Sequence, residues 1–261
     1  MRNLIIHTPH AGTLLPLANH KHPQPRWLIR TAIEPYYRLL TDHYTDILFA
    51  ADILLSSRQA GVRWPFYMSV QQVSFAYSRL YCDVERLLDD PLECIGLGIC
   101  YDLSPRTHSQ TWSMTKEQAM DLYHEHHQRL AQAIRHASID GFVKYPLLLD
   151  CHSFSEKDNI LCPNAHEYKD IDICLGYNED DTKPLVETLS FVADFFRERG
   201  YAVSFNAPFS NSKTVETRMS YHSLMIEVNK HCYMNEDTLE ITAGYYKLHS
   251  ELQELYHLLL N

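Results

Sequence analysis

The sequence lacks several patterns that mark common protein classes, and each absence narrows what the chain can do. It contains no run of about 18 apolar residues, so no membrane-spanning helix is expected. Its seven cysteines form no C-x-x-C pair, which argues against a disulfide framework and against a zinc site made of thiolates. Neither G-x-G-x-x-G nor a Walker motif occurs, and no serine lies in a G-x-S-x-G motif. Nucleotide binding and a serine nucleophile on a strained elbow are therefore not indicated.

An excess of positive charge is also absent. The chain has 23 Lys and Arg against 33 Asp and Glu, a formal charge of -10. We therefore expect no nucleic-acid partner and no binding to anionic membranes, although local arginines can still bind a small anion. The first segment, Met1 to His10, is short and ends too polar for a signal peptide, so we expect a soluble, cytoplasmic protein.

Segments with apolar residues at helical spacing alternate with short apolar runs along the chain. With 261 residues, 45% of them apolar, and no linker-like shift in composition, we predict one domain covering residues 1–261. The fold class predicted is α/β, a central, mixed but mostly parallel sheet flanked by helices. Strands are predicted at Asn3–Thr8, Asp52–Ser56, Met68–Tyr77, Leu80–Val84, Tyr145–Cys151, Asp172–Gly176, Tyr201–Phe205 and Ser223–Val228. Helices are predicted at Ile33–Ala50, Thr115–Ala137, Lys183–Arg199 and Asp237–Leu259.

Three apolar runs each lead to a residue that can hold a metal or move a proton. These residues are His10, His152 and Glu227. The carboxyl ends of strands in an open α/β sheet face one crevice, so residues there converge although they are far apart in sequence. Two imidazoles and a carboxylate would suit a catalytic zinc ion. The alternatives are a surface turn histidine for His10, a core histidine for His152 and a buried ion pair with an arginine for Glu227.

Three aspartates lie where they could support such a site. Asp150 precedes His152 by two residues on the same strand face, where it could accept the second imidazole proton of a metal-bound histidine. Asp42 and Asp46 are four residues apart on the predicted first helix and would share one face. Either of these two could instead be only a solvated helix charge.

Cationic groups for an anionic substrate are offered by one short segment, residues 78–86. Arg79 and Arg86 have the fork geometry that suits a carboxylate, but pairing with Asp83 or Glu85 is an equal alternative. Among the 16 histidines, seven lie in helical or loop stretches and most of them should be solvated. They are His20, His22, His124, His126, His127, His136 and His166.

Taken in order, these segments resemble the N-formylglutamate amidohydrolase family, part of a wider class of zinc-dependent exopeptidase-like α/β folds. The resemblance runs nearly from end to end, and the ordered set of motifs is more specific than any one of them. The motifs are the P-H-x-G of Pro9–Gly12, Thr41–Asp42, Ser78–Arg79, the D-x-x-R of Asp83–Arg86, the D-x-H-S of Asp150–Ser153, Glu227, and Tyr233–Met234.

The resemblance implies a metal-dependent amidohydrolase that removes a formyl or similar acyl group from an N-acylated, acidic amino acid. Zinc, or another divalent transition metal, would be held by His10, His152 and a carboxylate, for which we choose Asp42 with Asp46 in reserve. Glu227 would take a proton from metal-activated water and return it to the leaving amine.

Substrate contacts are implied by the same resemblance. Arg79 or Arg86 would clamp the substrate carboxylate, and the other would stabilise the oxyanion. His127 matches a histidine of the family and would add a hydrogen bond, or else it is an exposed helix histidine.

Two departures from the family pattern fall near the presumed substrate region. The family's Pro-Phe with a following Gly-Gly is here Pro208–Ser212, and its D-x-N-R is here Asp83–Arg86 with Glu85 in the third place. The acyl group and the amino-acid moiety therefore stay open, and a different acyl amide or an ester is an alternative substrate. A catalytically silent protein that binds a small acidic metabolite is another alternative. Intact His10, His152 and Glu227 favour the enzyme.

Overall fold

A six-stranded sheet forms the centre of the protein. The computed structural model describes residues 3–14, 26–52, 70–103, 116–138 and 145–261. The strands are β1 (Leu4–Thr8), β2 (Val70–Ser74), β3 (Leu147–Phe154), β4 (Ile173–Gly176), β5 (Val203–Phe205) and β6 (His222–Asn229). Their order across the sheet is β2-β1-β3-β6-β4-β5. β2, β1, β3 and β6 are parallel, β4 is antiparallel to β6, and β5 is parallel to β4, which confirms the predicted mixed, mostly parallel sheet.

Helices cover both faces of the sheet, as expected for an α/β fold. In the described parts of the chain they are α1 (Arg26–Leu40), α2 (Thr45–Leu48), α3 (Lys116–Ser138), α4 (Val186–Glu198) and α5 (Ala243–Leu260). A two-stranded hairpin of β7 (Met234–Asn235) and β8 (Glu240–Ile241) precedes α5. No helix among the described residues is long and apolar enough to cross a membrane. The extent of the domain, residues 1–261, stays a prediction.

One face of the sheet is apolar over most of its length. Leu149 and Cys151 of β3 and Ile226 of β6 are fully buried there, in a cluster that includes residues of α4 and α5. Side chains alternate between the faces of a strand, and the cluster accordingly contains alternate residues of β3 and β6, namely Leu147, Leu149, Cys151, Leu224, Ile226 and Val228. Burial of each large aliphatic side chain contributes about 1.5–3 kcal/mol to stability.

The opposite face is apolar near the beginnings of the strands and polar near their ends. Near their beginnings, Ile5 of β1 and Leu148 of β3 pack with apolar residues of α3. Two residues further along each strand, this face carries His7 and Asp150, and β3 continues to His152. The polar groups therefore collect at the carboxyl ends of the central strands, where a crevice is expected.

The helix predicted over Ile33–Ala50 is interrupted. α1 ends at Leu40, and α2 begins only at Thr45, after Tyr44 in the left-handed conformation with φ 67°. The amide of Asp42 donates to the carbonyl of His10 at 3.1 Å instead of continuing the helix. Asp42 and Asp46 consequently do not share a helix face, and that prediction was wrong.

Other predicted bounds differ from the structure in ways that affect the site. The strand predicted at Leu80–Val84 is wrong, because the amides of Tyr81 and Cys82 both donate to the Ser78 carbonyl in a turn. β3 extends to Phe154, so His152 lies within the strand and not after it. The last helix starts later than predicted because the β7–β8 hairpin precedes it. The strand predicted at Asp52–Ser56 lies, beyond its first residue, outside the described residues, as does Thr115 of the predicted helix start.

Candidate active site

A cavity of about 490 Å³ opens at the carboxyl ends of β3 and β6. His10, Asp42, His152 and Glu227 all line it. His10 follows β1 directly, and Asp42 is held against it by the backbone hydrogen bond described above. Gly12 lets the chain pass close to β2, because a Cβ there would collide with the backbone of residues 75–77. Residues from four separate parts of the sequence thus meet at one place.

Three potential metal-ligand atoms converge in this cavity. His10 Nδ1 lies 3.3 Å from His152 Nδ1, and Asp42 Oδ2 lies 3.2 Å from His152 Nδ1 and 3.7 Å from His10 Nδ1. All three side chains are buried. Tetrahedral coordination with metal–ligand distances of about 2.0–2.2 Å would place ligand atoms about 3.3–3.6 Å apart, so these separations fit a zinc-like ion.

The other nitrogen of each histidine is held by a second carboxylate. His10 Nε2 lies 2.9 Å from Asp83 Oδ1, and His152 Nε2 lies 3.1 Å from Asp150 Oδ1. Burial alone would raise the pKa of Asp83, but Arg79 and His10 hold it well below its usual range. Asp150 likewise has a lowered pKa, because His152 and His7 outweigh the effect of burial.

Ionised carboxylates only accept hydrogen bonds, and this decides the histidine tautomers. Each ring donates through Nε2, so in the neutral tautomer both Nδ1 atoms have lone pairs directed at each other and at Asp42. Burial opposes a charge on His152, but Asp150 and Asp42 outweigh it and raise the pKa of His152 well above its usual range, so that a proton is the alternative to a metal here. Three acceptors this close repel one another unless a proton or a metal ion lies between them. Histidine ligands that donate their second nitrogen to a carboxylate are typical of metal sites in proteins. The residues present therefore fit a divalent transition metal.

Glu227 lies beside this group on the same face of the sheet. β6 pairs with β3 in a register that puts Glu227 next to His152. Its Oε2 atom is buried without a hydrogen-bond partner among the described residues. Burial raises the pKa of Glu227 to about 8; the charge of His152 opposes this rise and the charge of Asp42 adds to it. A carboxyl group in this state suits proton transfer near neutral pH.

Both candidate arginines line the cavity and both contact Asp83. Arg79 donates to Asp83 Oδ2 from Nε at 3.2 Å and from Nη2 at 2.9 Å. Arg86 places Nε 3.4 Å from the same oxygen and donates from Nη2 to the hydroxyl of Tyr101, which itself donates to Asp83. The alternative of structural pairing thus applies to both arginines, and their roles toward substrate stay predictions.

The other two candidates lie apart from the cavity. His127 Nε2 donates to the carbonyl of Val84 at 2.9 Å and its ring stacks on Tyr123, and it is not among the cavity-lining residues. Asp46 is exposed and lies outside the group of His10, Asp42 and His152. Of the two aspartates considered, only Asp42 is in position to be a ligand.

Sequence reasoning missed a buried chain of polar groups behind the site. His7 Nδ1 lies 2.8 Å from Asp150 Oδ1, and His7 Nε2 lies 2.9 Å from His126 Nε2 of α3. The expectation that the helix histidines are mostly solvated is wrong for His126, which is 2% exposed. Its spacing of three residues from Tyr123 and four from Leu130, both buried, is the signal that places His126 on the inward face of α3 and separates it from exposed His124. Asp83 was considered as the first residue of the D-x-x-R motif and as a partner of the arginines, but not as a partner of His10.

Comparison with known proteins agrees with this architecture. The sequence profile of the family described as FGase, N-formylglutamate amidohydrolase, matches residues 2–234. The chain belongs to the N-formylglutamate amidohydrolase family. A comparison with curated proteins found no similar sequence.

Two solved structures are similar to this N-formylglutamate amidohydrolase family member in fold. The crystal structure of N-formylglutamate amidohydrolase from Ralstonia eutropha JMP134 has a TM-score of 0.67 and 20% identity, over 99% of this chain and 93% of that one. The structure of gene product Atu2144 from Agrobacterium tumefaciens has a TM-score of 0.53 and 13% identity, over 100% of this chain and 92% of that one. At these identities the likeness concerns the fold alone.

Proposed function

We propose that this protein hydrolyses the C–N amide bond of an N-formyl or other N-acyl amino acid, in a metal-dependent reaction. N-formylglutamate, after which the family is named, is one member of this substrate class. The observation that carries the proposal is the convergence of His10 Nδ1, His152 Nδ1 and Asp42 Oδ2 beside Glu227 in one cavity.

His10, Asp42 and His152 would hold the metal, and zinc suits two imidazoles and a carboxylate. When bound, such an ion supplies Lewis acidity toward water and toward the oxygen of the scissile carbonyl. Asp83 and Asp150 keep the two imidazoles in the tautomer that presents Nδ1.

Glu227 acts as the general base and then as the general acid. It accepts a proton from the attacking water on its unpartnered Oε2 as the new C–O bond forms. It delivers that proton to the nitrogen as the C–N bond breaks, which gives the acyl acid and an amine. Near neutral pH the acid loses its remaining proton and the amine takes one up, so the final products are a carboxylate and an ammonium group. Because burial favours its protonated form, Glu227 keeps the proton long enough to pass it on.

Arg79 and Arg86 bind anionic groups of the substrate. Both arginines approach the same oxygen of Asp83. Each therefore keeps at least one N–H group that is not bonded to Asp83 and can donate to the substrate. The arginine nearer the reacting carbonyl stabilises the oxyanion that forms during attack.

Metal content and hydrolysis test the proposal together. Protein purified without chelator should contain about one divalent transition metal per chain by mass spectrometry and should release formate from N-formyl amino acids. Chelation should remove both properties and added zinc should restore them. Absence of stoichiometric metal, combined with no activity after addition of zinc, would contradict the proposal.

A further inference from the structure

One buried histidine beside the candidate metal ligands takes no part in the proposed mechanism. His7 is the penultimate residue of β1, and the register between β1 and β3 places it directly opposite Asp150. Its side chain is completely buried and does not line the cavity. His7 therefore does not contact a substrate in the cavity, and it can influence the reaction only through the groups that surround it.

His7 holds the carboxylate that orients His152. Its Nδ1 atom donates to Asp150 Oδ1 at 2.8 Å, and His152 Nε2 donates to the same oxygen at 3.1 Å. The other oxygen, Oδ2, accepts from the backbone amide of Lys213 at 2.7 Å. A carboxylate has no proton to donate, so His7 carries a proton on Nδ1 whether its ring is neutral or charged. Asp150 is thus fixed by donors from two other segments of the chain.

The ring of His7 is also held at its other nitrogen. His7 Nε2 lies 2.9 Å from Nε2 of His126 on α3, so one of these two nitrogens donates to the other. The ring of His126 is 2% exposed and packs on Phe75 in an edge-to-face arrangement, with centroids 5.2 Å apart. Its Nδ1 atom is buried and has no hydrogen-bond partner among the described residues. With both nitrogens bonded, the His7 ring presents Nδ1 to Asp150 in a single orientation.

The bond from His7 matters because His152 has a second acceptor nearby. Glu85 Oε2 lies 3.8 Å from His152 Nε2. The terminal torsion of a carboxylate is soft, so an Asp150 side chain without the donor from His7 is freer to rotate. His152 is then free to turn towards Glu85, and its Nδ1 atom leaves the place where it lies 3.2 Å from Asp42 Oδ2.

We propose that His7 is a positioning residue for the metal site: it fixes Asp150 and thereby the ring of His152, so that His152 presents Nδ1 to the metal. The inference rests on the proposed function and adds to it a residue that contacts neither the metal nor the substrate. Replacing a hydrogen-bond partner of a metal ligand typically lowers metal affinity about 10–100-fold. Because His7 acts on His152 through Asp150, we expect an effect near the lower end of that range.

Two substitutions of His7 separate its hydrogen bond from the bulk of its ring. The amide nitrogen of asparagine is as many bonds from Cβ as Nδ1 of histidine, and that of glutamine is as many bonds away as Nε2. His7→Asn therefore keeps a donor to Asp150, whereas His7→Gln loses it and keeps a group that faces His126. We expect zinc to bind about tenfold more weakly to His7→Gln than to the wild type, and within about threefold of the wild type to His7→Asn. Competition with a chromogenic chelator measures both affinities.

His124→Gln on α3 is the matched control. His124 is exposed, so this variant should bind zinc as tightly as the wild type. Circular dichroism and urea unfolding establish that each variant is folded. An affinity of His7→Gln within about threefold of the wild type overturns the inference. Equal losses in His7→Asn and His7→Gln overturn it too, because they would mean that the packing of the ring matters and its donor does not.

Hydrogen exchange gives a readout that needs neither zinc nor turnover. In protein labelled with ¹⁵N at histidine, the His152 Nε2 proton should exchange slowly with water in the wild type and in His7→Asn, and at least about tenfold faster in His7→Gln. If the wild type bound no zinc or hydrolysed no N-formyl amino acid, the proposed function would fail, and these exchange rates would still decide the role of His7. Equal rates in the wild type and His7→Gln, together with hydrolysis by the wild type, would overturn the positioning role and leave the proposed function intact.

Discussion

The two faces of β3 and β6 differ sharply although they share the same backbone. Leu149, Cys151 and Ile226 point to the side covered by α4 and α5 and are completely buried among apolar residues. Asp150, His152 and Glu227, their immediate neighbours in sequence, point to the cavity side. Residues one position apart thus do different work, because side chains alternate across a strand. Stability comes mainly from one face and chemistry from the other.

Cys151 illustrates how far the two faces are separated. Its thiol is next to His152 in sequence but lies on the apolar side, where burial and the charge of Asp150 raise its pKa well above the usual range. A thiol in this state is not a nucleophile. Its position on the apolar face therefore keeps the Cys151 thiol from acting as a nucleophile, although its neighbours on the strand are reactive groups.

Substitutions of two adjacent residues of β6 are the strongest test of the difference between the two faces. Glu227→Gln should keep the metal and the fold but lower kcat by about 10²–10⁴, because the amide cannot accept the water proton. Since burial raises the pKa of Glu227 to about 8 from its ordinary 4.5, the wild-type rate should fall as the pH drops through a value above 4.5. That acidic limb should be absent in Glu227→Gln. Full turnover of a metal-loaded variant, measured by formate release, would exclude Glu227 as the base.

Substitution of Ile226, the preceding residue, should reduce stability and leave activity nearly unchanged. Ile226→Ala removes a fully buried side chain from the apolar face and should lower the free energy of unfolding by about 2–5 kcal/mol. Because Ile226 points away from the cavity, kcat/KM of the folded variant at low temperature should stay within about threefold of wild type. Urea unfolding and formate release measure the two effects. A large loss of kcat/KM without loss of stability would show that the faces are coupled.

Substitution of Asp150, which lies behind the proposed metal site, should have a smaller effect, on metal affinity. Asp150→Asn replaces the carboxylate that accepts from His7, His152 and the backbone of Lys213, and should weaken metal binding about 10–100-fold. Competition with a chromogenic chelator measures the affinity. The matched control is Cys151→Ala on the other face, which should bind metal as tightly as wild type. Equal affinities for Asp150→Asn and wild type would mean that Asp150 has no part in orienting His152.

Local patterns predicted most of the secondary structure and the ends of the strands. Apolar runs indicated β1, β3 and β6, and His10, His152 and Glu227 were picked out because they follow or end these runs. Strand β3 has no polar alternation before Asp150, which correctly indicated coverage on both faces. Such features depend on neighbours in sequence, so periodicity and composition can reveal them.

Predictions failed where distant segments override local preference. Helical spacing across residues 33–50 is regular, yet the chain turns after Leu40 because the amide of Asp42 bonds to His10. The alternation at residues 80–84 suggested a strand, but Asp83 there is drawn into contacts with His10 and Arg79. In both places a hydrogen bond or ion pair to a remote residue outweighs a propensity of a few tenths of a kcal/mol per residue.

The sequence by itself determined the family, the α/β order of elements and the residues that can do chemistry at the strand ends. Only the tertiary structure decided that Asp42, and not Asp46, joins His10 and His152, that Asp83 engages both arginines, and that His126 is buried against His7. The physical reason is that these contacts join residues up to 142 positions apart. Their geometry depends on strand register and on where a helix ends, which no local pattern encodes.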